Sequence, residues 1–88
     1  MTLKEEFEQH CEKVKSLTQA TNEDLLIIYG LFKQATVGNV DTSRPGMFDP
    51  KGRAKWDSWK SFEGKSADDA MTEYITKAKQ MLEANGLA

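Results

Sequence analysis

Four helix-start signals divide this 88-residue chain into four segments. Each signal places a side-chain oxygen ahead of a stretch in which apolar residues recur every three or four positions. Such an oxygen accepts a hydrogen bond from a free amide of the first helical turn, which favours a helix start at that point. The spacing therefore predicts an all-α chain of four amphipathic helices. The signals are Thr2-x-x-Glu5, Thr21-x-x-Asp24, Asp49-Pro50 and Ser66-x-x-Asp69.

The ends of the predicted helices follow from the apolar periodicity and from glycine. The first helix should cover roughly residues 3–17, and the second should run to about Val37, with Gly38 as its stop. The third should begin at Pro50 and end at Gly64. The fourth, which starts after Ser66, should close near residues 85–86.

The connection between the second and third helices is the longest irregular stretch, NVDTSRPGMFD, residues 39–49. It is long for a helix–helix link in a small domain, and its reach suits a crossover to a non-adjacent position rather than a tight hairpin. Pro45-Gly46 predicts a turn within it. We expect Met47 and Phe48 to pin this connection over the core.

Length and composition predict one domain over residues 1–88, because the chain is near the smallest size at which a single core suffices. The longest apolar run, Leu25 to Tyr29, is far too short to span a membrane, and the first ten residues lack the apolar stretch of a signal peptide. A single cysteine, Cys11, cannot form an internal disulfide. A reducing compartment, the cytoplasm, fits this composition best.

Positive charge is concentrated in the middle of a chain whose net charge is −2. Residues 33–60 hold six basic and three acidic residues. This distribution favours a local anion site over a long polyanion track, although charge scattered over a solvated surface explains the count equally well. The residues are Lys33, Arg44, Lys51, Arg53, Lys55 and Lys60 against Asp41, Asp49 and Asp57.

The segment from Leu25 to Gly38 carries the most informative side chains. Tyr29 and Lys33 stand one helical turn apart with Phe32 between them, so a phenol, a ring and an ammonium should point in roughly one direction. These groups would suit a nucleotide, which stacks on rings and offers phosphate to a cation. The alternative is a tyrosine at the core edge with a lysine extending past it.

Chemistry beyond binding has no support in the sequence. One histidine and one cysteine cannot form a metal set, no glycine-rich phosphate loop is present, and no nucleophile has an evident base. We therefore predict neither a metal nor a cofactor, and no enzyme activity.

Over roughly residues 3–86 the chain resembles the acyl-CoA-binding protein family. The resemblance implies a four-helix bundle of up-down-down-up topology, with the long connection between helices 2 and 3. It also implies a monomeric carrier that binds long-chain fatty acyl-CoA esters without chemistry and meets acyl-CoA-using enzymes or membranes transiently. The matching blocks are Tyr29-Gly30, Phe32-Lys33-Gln34-Ala35-Thr36-Val37-Gly38, Arg44-Pro45-Gly46-Met47, Lys51-Gly52-x-Ala54-Lys55-Trp56-Asp57-x-Trp59, Asp69-Ala70-Met71 and Tyr74-Ile75.

The resemblance also implies which residues contact the ligand. Tyr29, Lys33 and Lys55 match positions that hold the adenine and the ribose 3′-phosphate. The remaining implied contacts are Lys15, Gly30, Leu31, Phe32, Lys51 and Tyr74, and from periodicity we add Phe7, Leu25 and Ile28 as lining for the acyl groove.

Two departures from the family pattern stand out. Phe32 replaces a usual tyrosine, and the turn at residues 18–24 is about one residue short.

Two other functions remain open from the residues alone. The aromatic surface could hold a partner helix, which would make the chain a helical protein-interaction module without a small-molecule ligand. A helix-turn-helix nucleic-acid binder with residues 51–60 as its recognition helix is disfavoured by the net negative charge and by Asp57 within that helix. We therefore expect no nucleic-acid partner.

Overall fold

The computed structural model describes residues 1–86, and within them every regular element is an α-helix. This confirms the all-α prediction. The first helix ends at Val14, earlier than the predicted residue 17, because a short turn replaces its last helical turn. The helices are α1 (Leu3–Val14), α2 (Asn22–Thr36), α3 (Pro50–Ser61) and α4 (Ala67–Ala84).

All four predicted caps are formed. In each case the side-chain oxygen accepts a hydrogen bond from a backbone amide three residues on, at 3.0–3.1 Å. At the first cap the Glu5 carboxylate also accepts from the Thr2 backbone amide, which completes the capping box. Gly38 and Gly64 follow α2 and α3 with φ of 102° and 90°, so both glycines supply the left-handed residue that stops a helix.

The contacts of α4 fix the directions of its two neighbours. Near one end of the pair, Lys77 of α4 forms an ion pair with Asp24 at the start of α2. Near the other end, Gln34 of α2 donates to the Lys65 carbonyl just before α4. The helices α2 and α4 are therefore antiparallel.

Helix α1 runs parallel to α4. The rings of Phe7 and Tyr74 meet edge to face near the starts of the two helices, with centroids 4.9 Å apart. Beyond their ends, Asn85 exchanges hydrogen bonds with the backbone of Gln19. The contacts therefore advance in the same direction along both helices, as they do between parallel helices.

Helix α2 runs parallel to α3, on the side away from α1. The Ser58 hydroxyl donates to the carbonyl of Leu26, and further along both helices Lys33 lies over the ring of Trp59. With the two preceding relations, this gives the up-down-down-up order and confirms the predicted topology.

The hydrophobic core lies between α1, α2 and α4. It is built from the inward stripes of these three helices. Because α4 packs against both α1 and α2, its stripe is the most completely buried. Helix α3 closes one side of the bundle by packing on α2 alone among the helices. The buried members of the core cluster are Phe7, Ile28, Leu31, Tyr74, Ile75, Ala78 and Met81.

The crossover between α2 and α3 is held by both tryptophans of α3. The Trp59 indole donates to the carbonyl of Gly38 at 2.7 Å, and the Trp56 indole donates to the carbonyl of Thr42 at 2.9 Å. Arg44 binds both carboxylate oxygens of Asp57, at 2.9 and 2.8 Å. Two parallel N–H···O bonds of this kind give directional as well as electrostatic attachment. The connection therefore runs along α3 in one fixed course.

The expectation that Met47 and Phe48 pin the connection over the core is wrong. Their side chains are 72% and 95% exposed, respectively. The polar attachments to α3 already fix the crossover, so its last turn projects past the start of α3 without packing on the bundle.

Gly30 lets α2 and α3 approach closely. An added Cβ would lie 2.5 Å from the Ser58 hydroxyl and 2.8 Å from both the Ser58 carbonyl carbon and the Phe62 ring. Because one of these atoms belongs to the backbone of α3, rotating a side chain cannot make room. A glycine inside a helix usually destabilises it by about 1 kcal/mol relative to alanine, so the close contact has to offset that loss.

We expect Gly30→Ala to destabilise the protein despite the higher helix propensity of alanine. Overpacking of this kind costs about 1–3 kcal/mol, which exceeds the propensity gain of about 1 kcal/mol. Urea unfolding followed by circular dichroism measures the change. Gly46→Ala is the matched control, since nothing lies within 4 Å of its added Cβ. A Gly30→Ala protein as stable as the wild type would contradict the close-packing interpretation.

Candidate functional site

One face of α2 is turned away from the core and forms an exposed ridge. Leu25 is 49% exposed and Phe32 39%, with Tyr29 half-buried between them. At about 100° per residue, Tyr29 and Phe32 project roughly 60° apart, so their rings lean to opposite sides of the ridge. These side chains are therefore available to a ligand, whereas Ile28 on the adjoining stripe belongs to the core.

The α2–α3 groove lies on the Tyr29 side of this ridge. It has a volume of about 480 Å³ and opens to solvent. Its floor is largely apolar, while two ammonium groups and the phenol stand at its wall. The lining residues are Asn22, Leu25, Leu26, Tyr29, Pro50, Lys51, Ala54 and Lys55.

Three lysines at and beside this groove have no carboxylate partner within residues 1–86. Lys55 Nζ lies 5.5 Å from the centroid of the Tyr29 ring, and Lys33 Nζ lies 4.8 Å from the centroid of the Trp59 ring. Lys51 is exposed one helical turn before Lys55. Among residues 1–86 no Asp or Glu comes within salt-bridge distance of any of the three lysines. A cation over an aromatic face is held in position yet keeps hydrogens free for an anion.

The α1–α2 groove lies on the Phe32 side of the ridge and is larger, at about 720 Å³. The rings of Phe7 and Phe32 stack across it with centroids 6.0 Å apart, which gives it an apolar centre. Lys15 stands at its edge, where its ammonium pairs with Glu12 at 2.9 Å. The lining residues are Lys4, Phe7, Glu8, Cys11, Glu12, Lys15, Phe32, Ala35, Thr36 and Met71.

The structure brings most of the predicted site residues to these two grooves. Tyr29, Lys51, Lys55 and Leu25 line the α2–α3 groove, with Lys33 beside it, and Lys15, Phe32 and Phe7 line the α1–α2 groove.

Four predicted residues lie elsewhere. Gly30 faces α3, while Ile28, Leu31 and Tyr74 are buried in the core, with the side chains of Leu31 and Tyr74 each only 2% exposed. Their contact with a ligand stays a prediction.

Sequence reasoning missed two groove residues that a simple signal could have found. Pro50 and Ala54 precede Lys51 and Lys55 by one position each and repeat at the same four-residue spacing. An apolar pair beside a basic pair on one helix is a pattern that suits the binding of an amphiphile. The two tryptophans of α3 are not among the groove residues, and their indoles bind backbone carbonyls of the crossover.

Cys11 lines the α1–α2 groove and lies over Tyr74. Burial raises the pKa of the Cys11 thiol above its usual range. Burial, and then the neighbouring thiol, raises the pKa of the Tyr74 phenol in the same direction. Both groups are therefore neutral at physiological pH.

Comparisons with known proteins agree with this architecture. Residues 4–78 match the family described as Acyl CoA binding protein. An acyl-CoA-binding protein of Brassica napus is 71% identical over 85 residues, which cover 96% of this chain and 92% of the relative. The chain belongs to the acyl-CoA-binding protein family.

Further relatives extend the match to solved structures of the family. Acyl-CoA-binding domain-containing protein 6 of Arabidopsis thaliana is 68% identical, over 94% of this chain and 91% of its own length. The crystal structure of Oryza sativa Acyl-CoA-Binding Protein 2 superposes with a TM-score of 0.93 at 56% identity, covering 99% of this chain and 98% of that one. Family and fold predictions are thus confirmed.

The described part of the chain offers two further findings. Across residues 1–86 no three His, Cys, Asp or Glu side chains gather as they would around a metal ion. None of the helices in that range is long and apolar enough to cross a membrane.

We expect Cys11 to react with a maleimide several-fold more slowly than a free cysteine at pH 8. The raised pKa reduces the thiolate fraction, and thiolate is the reacting species. Stopped-flow alkylation measures the rate, and the same protein unfolded in guanidinium serves as the control. Equal rates for folded and unfolded protein would contradict the partly buried, neutral thiol.

The raised pKa of the Cys11 thiol also sets the direction in which folding stability changes with pH. The folded-state pKa of Cys11 is raised, so its contribution to stability is present below the unfolded pKa and falls as pH rises above that value.

Proposed function

We propose that this chain binds long-chain fatty acyl-CoA esters and carries them as an intracellular pool. The observation that carries the proposal is the arrangement of Lys33, Lys51 and Lys55 at and beside the α2–α3 groove, where no carboxylate among residues 1–86 pairs with them. Apolar grooves lie on both sides of the same helix, α2. An acyl-CoA has an anionic nucleotide head and an apolar tail, so it needs both surfaces at once.

The head is assigned to Tyr29 and the three lysines. The phenol ring offers a face to the adenine, and Lys33 and Lys55 approach it from two helices, where the ribose 3′-phosphate would be held. Lysine binds phosphate as a point charge, and partly buried aromatic neighbours reduce solvent screening. Within residues 1–86 no carboxylate pairs with these ammonium groups, so a bound phosphate would not have to displace an internal ion pair.

The tail is assigned to the apolar lining beside the ridge. Leu25 lines the α2–α3 groove, and Phe7 lines the α1–α2 groove. Ile28 lies between them as buried support. Every methylene removed from water stabilises the complex by about 0.8 kcal/mol, so affinity rises with chain length until the groove is filled.

The proposed unit is a single acyl-CoA-binding domain, residues 1–88, acting as a monomer in the cytoplasm. It releases its ligand unchanged, so its role is that of a carrier and not an enzyme. Delivery then requires transient contact with acyl-CoA-using enzymes or with membranes. The family match and the retained anion-binding lysines support this assignment.

We expect Lys55→Ala and Lys33→Ala each to weaken palmitoyl-CoA binding roughly tenfold to hundredfold. A hydrogen bond to a charged group contributes about 1.5–3 kcal/mol, which corresponds to that range. Titration calorimetry measures the affinity. Lys79→Ala is the control, because Lys79 is exposed on α4, outside both grooves. If Lys55→Ala weakens binding no more than Lys79→Ala does, the phosphate assignment is wrong.

Phe32→Tyr should tighten binding roughly threefold to tenfold without lowering the melting temperature. The ring is 39% exposed at the edge of the α1–α2 groove and stands next to Lys33 in the chain, so a hydroxyl at its tip would reach the head-group phosphates or water and would not be buried unpaired. One added hydrogen bond is worth about 0.5–1.5 kcal/mol. Titration calorimetry and thermal unfolding test the two statements. Unchanged affinity with a lower melting temperature would mean that this ring tip belongs to the core.

A further inference from the structure

We propose that the Met47–Phe48 tip docks onto the surface of an anionic lipid bilayer and brings the α2–α3 groove to it. The functional consequence rests on the proposed carrier role, whereas the docking itself does not. The proposal starts from two consecutive large apolar side chains that are 72% and 95% exposed.

The tip is a turn held at a fixed place. The Asp49 amide donates to the Gly46 carbonyl at 3.0 Å, so Met47 and Phe48 occupy the two corners of a β-turn and point outward. Upstream, the bidentate pair between Arg44 and Asp57 attaches the connection to α3. Because the turn is attached on both sides, little conformational freedom is lost when Met47 and Phe48 enter a bilayer.

Two lysines follow the tip closely in the chain. Lys51 and Lys55 follow it on the exposed first turns of α3, without carboxylate partners among residues 1–86. Of the nearby acids, Asp49 accepts a hydrogen bond from the start of α3, and Asp57 is neutralised by Arg44. Each Lys or Arg near an anionic leaflet adds about 1 kcal/mol of attraction. An apolar tip followed in the chain by two lysines, neither of which has a carboxylate partner among residues 1–86, therefore complements an anionic bilayer.

The size of the apolar surface favours a bilayer over a protein partner. A stable protein–protein interface buries about 800 Å² on each partner, which two side chains cannot supply. A bilayer interface accepts single aromatic and aliphatic side chains, because its boundary region adapts to their shape. A second copy of this chain would also bring its own lysines against Lys51 and Lys55, and like charges repel.

The docked orientation would place the groove where it is needed. Pro50 and Lys51 line the α2–α3 groove and come directly after the tip in the chain. An acyl-CoA is an amphiphile that partitions into bilayers, so its tail could pass from lipid to groove without crossing water. Once bound, its phosphates would neutralise the lysines and remove the electrostatic part of the attraction, which favours release of the loaded carrier.

The first experiment measures co-sedimentation of the ligand-free protein with sucrose-loaded phosphatidylcholine vesicles, with and without phosphatidylserine. We expect binding that needs phosphatidylserine, weakens with salt, and falls at least about tenfold in Met47→Ser/Phe48→Ser, the loss that removing a buried aromatic side chain produces. Val37→Ser is the control, because Val37 is 50% exposed at the end of α2, just before the connection begins and far along the chain from the tip. Equal vesicle binding by the double variant and the wild type would overturn the proposal.

A second measurement reports on the tip directly. Phe48→Trp should show blue-shifted emission with vesicles and quenching by brominated acyl chains, after subtraction of the wild-type signal from Trp56 and Trp59. Val37→Trp should show neither change. The same response from both positions would mean unoriented adsorption and would contradict docking by the tip.

Titration with palmitoyl-CoA in lipid-free buffer separates this proposal from the carrier function. The Met47→Ser/Phe48→Ser protein should bind it as the wild type does. Loss of that affinity would assign the tip to the ligand site and overturn the docking role, as would a wild-type dimer in sedimentation equilibrium that the double variant lacks. Wild-type protein that docks on vesicles yet fails to bind acyl-CoA would leave the docking intact and defeat the carrier function alone.

Discussion

The parallel packing of α2 against α3 is the constraint on which the candidate site depends. Two sequential helices can run parallel only if the chain between them returns over the length of a helix, so an extended crossover is required. The indoles of Trp56 and Trp59 and the Arg44–Asp57 pair hold that crossover on α3. Gly30 then lets the two helices meet closely enough to form one surface.

That surface gathers lysines from two helices, and no carboxylate among residues 1–86 pairs with them. The contrast with Arg44 is informative: its guanidinium is satisfied by Asp57, and hydrogen bonding to it holds the pKa of the Asp57 carboxyl below its usual value. Lys33 and Lys55 instead rest on aromatic rings, which orient an ammonium without cancelling its charge. The same segment of chain thus contains a closed ion pair that maintains structure and open ammonium groups that can bind a ligand.

The sequence by itself determined the helices and much of the site chemistry. Thr2, Thr21, Asp49 and Ser66 marked the helix starts, because a cap is satisfied by amides only three residues away and needs no tertiary partner. Gly38 marked a helix end for the same local reason. The spacing of Tyr29 to Lys33 and of Lys51 to Lys55 fixed which groups share a helical face.

Only the tertiary structure decided which faces are buried and which side chains meet across helices. Periodicity placed Leu25 and Ile28 on one stripe, yet α3 and α1 leave Leu25 half exposed while Ile28 is enclosed. Hydrophobicity alone put Phe48 over the core, whereas the polar attachments of the crossover direct it into solvent. Burial depends on which helices pack together. The residues that meet in this packing lie far apart in sequence, so local sequence patterns do not identify them.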